Sequence, residues 1–113
     1  MSERADTDFL NDSKEAILRI NVYVEKLNYE DFLNDIKTQD AVVRNLEIIG
    51  EAIKNISEEL KKRYPAMPWK DLAGARDKLI HHYFGVNLDI VWHIVKGELP
   101  QVLPQLEKIL ETE

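Results

Sequence analysis

Apolar residues recur along this chain at steps of three and four, the spacing of amphipathic helices. Phe9, Ala16, Ile17, Ile20, Tyr23, Val24 and Leu27 trace a first helix after a cap at Thr7. Tyr29 to Asn34 reads as a connector or a single turn. Val42, Val43, Leu46, Ile49, Ile53, Ile56 and Leu60 form one stripe, which predicts a long second helix from Thr38 or Gln39 to Arg63. Tyr64-Pro65 ends it, because the residue before a proline disfavours helix. Pro68 opens a third helix carrying Trp69, Leu72, Leu79, Ile80 and Tyr83, with a stop at Phe84-Gly85. Asn87 caps a fourth through Ile90, Val91, Ile94 and Val95, ending at Gly97. Pro100 suits the first turn of a last helix with Leu103, Leu106, Ile109 and Leu110, which Pro104 should kink or delay. No Asn-Gly or Asp-Gly turn separates alternating apolar runs, so hairpin signals are absent. The expectation is an all-α fold, an antiparallel bundle of four to five helices forming a single domain over 1–113.

Composition narrows the function classes. Of 113 residues, 44% are hydrophobic and 32% charged, as in a folded domain rather than a disordered one. No apolar run approaches the roughly 18 residues of a membrane span, and the N-terminus lacks the basic start and apolar stretch of a signal peptide. A cytoplasmic location without membrane association is therefore expected. The absence of cysteine excludes disulfides, Cys-ligated zinc, iron–sulfur clusters and thiol nucleophiles. Fifteen Lys and Arg against 21 Asp and Glu give a net charge of −6, which disfavours coating DNA by charge alone. A nucleic-acid enzyme with a small local basic site remains open.

The third helix departs from its own pattern. At about 100° per residue Leu72, Ala75, Leu79, Ile80 and Tyr83 share one side, and Arg76 falls among them. A guanidinium there is costly unless it is paired or sits at a site. Position alone favours a structural ion pair, with Glu47 or Glu51 of the long helix as partner, over an anion-binding arginine. His81 and His82 point about 100° apart and cannot serve one atom together. His93, among Val91, Trp92 and Ile94, reads as an ordinary helix residue. Asp77–His81 and Asp89–His93 have a chelating spacing that is common by chance, and no Glu-x-x-His pair of di-iron bundles is present. No metal and no cofactor are expected. Arg44, Glu47, Glu51, Asn55 and Glu58 lie opposite the apolar stripe as a solvated face, helped by Arg44–Glu47 and Lys54–Glu58 pairs. Lys61-Lys62-Arg63 is a dense basic run at a helix C-terminus, where positive charge is favourable in any case.

Three blocks carry a resemblance. Arg76-Asp-Lys-Leu-Ile-His81-His-Tyr83 spells RxxxxHxY, it follows Trp69-Lys-Asp-Leu-Ala-Gly-Ala, and the long helix carries Arg44-Asn-Leu-Glu47-Ile-Ile-Gly50-Glu51-Ala. In this order and spacing they resemble the HepT-like branch of the HEPN superfamily, over nearly the whole chain to Leu106. The resemblance implies a HEPN-like helical bundle and a toxin ribonuclease that acts on RNA without metal, paired with a minimal nucleotidyltransferase antitoxin. It makes Arg76 and His81 catalytic and Tyr83 the positioning residue or the acceptor of AMP units. Glu47, Glu51, Arg44, Lys78 and His82 are candidates for supporting roles.

The implied chemistry is consistent with the residue types. RNA cleavage needs proton transfer at the 2′-hydroxyl and the leaving 5′-oxygen, and positive charge on the phosphorane-like transition state. An imidazole with its ordinary pKa near 6.5 supplies the first, and a bidentate guanidinium the second. In a straight helix, however, Arg76 and Tyr83 share a side about 10 Å apart while His81 points about 140° from Arg76. Either the helix loosens near Phe84-Gly85 or two chains face their motifs across a cleft; family members are similar in forming such homodimers, so a composite site is expected. Two other readings stand beside the enzyme: a non-catalytic nucleotide- or protein-binding helical module serving a nucleotidyltransferase, and a purely structural bundle.

Overall fold

The computed structural model describes residues 4–80 and 87–113, without the side chains of Arg76, Lys78, Leu79 and Ile80. Among these residues the chain is all helical: α1 (Asp6–Val24), α2 (Tyr29–Leu33), α3 (Ile36–Lys54), α4 (Glu58–Arg63), α5 (Trp69–Ile80), α6 (Leu88–His93), a π-turn (Ile94–Glu98) and α7 (Leu99–Thr112).

Local hydrogen bonds set most of the boundaries. Asp8, three residues into the first turn, accepts from the Ala5 N–H at 2.9 Å, so α1 begins at Asp6 and Thr7 is inside it rather than its cap. In α2 Asn28 Oδ1 accepts from the Asp31 N–H at 2.8 Å while the Asp31 carboxylate accepts from the Asn28 N–H at 3.2 Å. That reciprocal pair makes the segment, expected as a connector or a single turn, a helix of little more than one turn. Asp35 heads α3 by accepting from the Thr38 N–H and hydroxyl.

The expected long second helix is two helices. α3 ends at Lys54, and Ser57 starts α4 by accepting from the Leu60 N–H at 3.2 Å. The apolar stripe runs straight across the break, with Ile53, Ile56 and Leu60 all buried. With the helix interrupted, Glu58 pairs with Lys61 at 3.7 Å instead of with Lys54.

A second correction concerns Gly97, which was expected to end a helix. Asn87 does cap α6, accepting from the Asp89 and Ile90 N–H groups at 3.0 and 3.2 Å. The chain then passes through the π-turn, where the Leu99 N–H reaches the Ile94 carbonyl five residues back, and continues directly as α7. A proline ring at position 100 would press on the carbonyl four residues earlier in a regular helix. The widened turn just upstream relieves that crowding. Pro104 lies inside α7 without ending it.

The helices enclose one apolar core. Leu10, Ile17 and Ile20 of α1, Phe32 of α2, Val42, Leu46, Ile49 and Ile53 of α3, and Leu99 and Leu106 of α7 are at most 1% exposed. Each such side chain contributes about 1.5–3 kcal/mol relative to exposure. α1 and α3 run antiparallel, because Asp6 at the head of α1 bonds Ser57 just past the end of α3. α5 packs on α3, and α7 on α1. Among the described residues two polar side chains enter this core: Ser13 donates to its own helix at Phe9 O, and Asn45 donates to Ala41 O while its Oδ1 has no hydrogen-bond partner among them.

Candidate active site

α5 is held by its start. The Trp69 indole N–H donates to the Tyr64 carbonyl at 2.9 Å, and Trp69, Leu72 and Ala75 are buried. The backbone thus carries Arg76 on the helix that packs on α3, one residue beyond Ala75. His81, His82 and Tyr83 lie outside the described residues, as do the expected stop at Phe84-Gly85 and the side chains of Arg76 and Lys78.

The described part of the candidate site is therefore the α3 face. Arg44 and Glu47 form the expected pair, but loosely: Nη1 and Oε2 are 3.8 Å apart, outside hydrogen-bond distance, with the side chains 71% and 35% exposed. An exposed pair of this kind contributes little, about 0.5 kcal/mol or less. These two residues make a ridge between two clefts. On one side Gln39, Asp40, Val43 and Leu88 join them around about 310 Å³. On the other, Arg4, Phe9 and Asp12 of the α1 end join them with Glu51 and Asn55 around about 210 Å³. There Arg4 is bridged to Asp12 at 2.7 Å and lies 4.9 Å from the Phe9 ring centroid.

The sequence reading found Arg44, Glu47 and Glu51 and missed Asp40, Val43 and Leu88. Leu88 is 41 positions from Glu47 in the chain, so helical spacing had no means of linking them. It heads α6, directly after the Asn87 cap, and follows Tyr83 by five positions in the chain.

Shifted titrations fall away from this face. The Thr38 hydroxyl and N–H hold the Asp35 carboxyl below its ordinary range. The Tyr64 hydroxyl, and after it the Arg63 guanidinium, do the same for Glu113, which in turn raises Tyr64. Both are helix-end arrangements. Among the described residues no three His, Asp or Glu side chains gather in a way that could hold a metal ion, and no helix is long and apolar enough to cross a membrane.

The geometry can be set beside known proteins. A family model described as ribonuclease HepT-like matches residues 13–109. A Thermococcus cleftensis protein named "Probable ribonuclease HepT" is 47% identical over 107 residues, covering 95% of this chain and 97% of its own. Two Methanocaldococcus jannaschii proteins that carry RNase names are 46% identical over 103 residues and 43% over 111. They cover 91% and 98% of this chain, and 85% and 92% of their own lengths. No solved structure matches.

Proposed function

The chain belongs to the HepT-like ribonuclease family, and from that premise we propose that it is a metal-independent endoribonuclease, the toxin of a toxin–antitoxin pair. The observation that carries the reading is the motif from Arg76 to Tyr83. It begins on α5, which packs against the helix bearing the Arg44–Ala52 block.

In the proposed reaction His81 takes the proton of an RNA 2′-hydroxyl. The 2′-oxygen attacks the adjacent phosphorus, the bond from phosphorus to the 5′-oxygen breaks, and that oxygen receives a proton. The products are a 2′,3′-cyclic phosphate and a 5′-hydroxyl, so atoms balance without water in this step. Arg76 holds the non-bridging oxygens in bidentate fashion where charge accumulates. Because one straight helix aims Arg76 and His81 apart, two chains share the work: a homodimer with a composite cleft, each half giving an arginine and a histidine. Tyr83 is the point of control, where a cognate nucleotidyltransferase antitoxin attaches AMP.

The test is cleavage of RNA in EDTA by the purified chain, with cyclic-phosphate ends identified. Arg76→Ala and His81→Ala should each lower the rate by at least about a hundredfold. Equal rates for parent and double variant would remove the assignment, and loss of activity in EDTA would remove metal independence. Light scattering that shows only monomer at active concentrations would remove the composite site.

A further inference from the structure

The cleft between α3 and the head of α6 is lined unlike a phosphate site. Val43 and Leu88 are partly buried against the core and offer two apolar surfaces. Among the described residues Asp40 and Glu47 stand against one guanidinium, Arg44, so this part of the lining is formally negative. That charge repels phosphate and suits N–H donors. Gln39 is already committed, since its Nε2 donates to the Phe32 and Leu33 carbonyls at 2.9 and 3.1 Å. Arg44 and Glu47, 3.8 Å apart, both keep hydrogen-bonding capacity. At about 310 Å³ the cleft is at the small end of ligand sites, suited to a single base rather than a base pair.

We infer that this cleft receives a guanine of the RNA substrate, from a nucleotide flanking the cut, and thereby sets the sequence preference of the enzyme. The inference rests on the ribonuclease reading and names its specificity. Glu47 accepts from the guanine N1–H and 2-amino group, and Arg44 donates to O6 and N7. O6 and N1–H are neighbours on guanine, so their protein partners must be neighbours too, as Arg44 and Glu47 are. The other bases fit less well. Adenine would turn its N1 lone pair toward the carboxylate, cytosine would turn its N3 lone pair there, and uracil lacks the second donor. Val43 and Leu88 give an unstacked base apolar contact, in place of the aromatic platforms on which single-stranded RNA is usually read. Chain length fixes the neighbourhood: Leu88 follows Tyr83 by five residues, a reach of no more than about 18 Å.

The test maps cuts by the full chain in a random-sequence RNA pool, then compares kcat/KM on oligonucleotides carrying guanine or inosine at the preferred position. Inosine lacks only the 2-amino group. Guanine should exceed inosine by about tenfold in the parent, the worth of one hydrogen bond to a charged carboxylate. Glu47→Gln should bring that ratio close to one, and Arg44→Ala should erode the guanine-over-adenine ratio, with circular dichroism and Tm unchanged in both. Cuts without guanine preference, or an unaltered ratio in Glu47→Gln, overturn the inference while leaving the ribonuclease standing. Should the parent cut no RNA, the ribonuclease reading falls, and the base site is read by binding of uncleavable 2′-O-methyl oligonucleotides. Guanine-over-inosine affinity that depends on Glu47 upholds the site, and its absence overturns it.

Discussion

Asp6 and Ser57, 51 positions apart, are joined by two hydrogen bonds: the Ser57 N–H reaches Asp6 Oδ1 at 2.8 Å and its hydroxyl reaches Oδ2 at 2.6 Å. The same hydroxyl oxygen accepts from the Leu60 N–H. One serine thus caps α4 and ties its start to the head of α1. Asp6→Ala leaves two partly buried donors without their acceptor and should lower stability by about 2 kcal/mol. Ser57→Ala also removes the cap and should cost at least about 1 kcal/mol. Urea unfolding of the two variants checks both, and a change below a few tenths would show that the tie is not part of the folding energetics.

This tie also marks the limit of what the sequence discloses. The stripe from Val42 to Leu60 was legible as helix, and its residues are buried except for the partly buried Val43. The break within it was not, because the stripe continues through Ile56 while the acceptor that holds Ser57 lies at the other end of the chain's first half. Pro100 was legible as a first-turn proline and lies in the first turn of α7, whereas Gly97, legible as a helix end, is carried through by the π-turn. On the α3 face Arg44 and Glu47 could be read from their place opposite the core. The cleft beside them could not, since its far wall, Leu88, belongs to another helix.

Acid should act on the head of α3. The Asp35 carboxylate accepts from the Thr38 hydroxyl at 2.6 Å, which holds its pKa below the ordinary 3.8. A carboxyl whose folded pKa is depressed adds stability above its unfolded pKa and loses it as pH falls through the folded one. Between pH 7 and 5 the contribution is complete; from about 3.8 downward it fades. Asp35→Asn should therefore flatten the acid side of the Tm–pH curve while leaving its slope above pH 5 as in the parent. A parallel acid slope in the variant would assign that loss to other carboxyls.

Gly74 offers a gain. It sits mid-helix in α5, where a Cβ would meet no neighbouring atom of the described residues within 4 Å. Glycine there costs about 0.5–1 kcal/mol relative to alanine, so Gly74→Ala should raise Tm by a few degrees. The substitution also probes assembly. Raised stability with dimerisation intact places Gly74 away from the contact, whereas a stable monomer from Gly74→Ala would show that a second chain approaches α5 closely at this point.

Tyr83 carries the proposed control. Its phenol oxygen can attack the α-phosphorus of ATP in the antitoxin's site, forming a bond from tyrosyl oxygen to phosphorus as pyrophosphate leaves. The product places a bulky anion within two residues of His81 in the chain and seven of Arg76. There it competes with substrate phosphate for the guanidinium and fills the cleft by volume. The competing reading is a packing residue, since Tyr83 follows the apolar Leu79 by four positions in the sequence. Incubation with ATP, magnesium and the cognate nucleotidyltransferase should add about 329 Da per AMP, the mass of the group that a nucleophilic hydroxyl accepts. The added mass should map to the peptide holding Tyr83, and the modified chain should lose RNA cleavage. Tyr83→Phe should remain unmodified and resist neutralisation while keeping the fold, as its far-ultraviolet circular dichroism would show. Mass added at another residue, or full neutralisation of Tyr83→Phe, would leave Tyr83 a packing residue and move the control elsewhere.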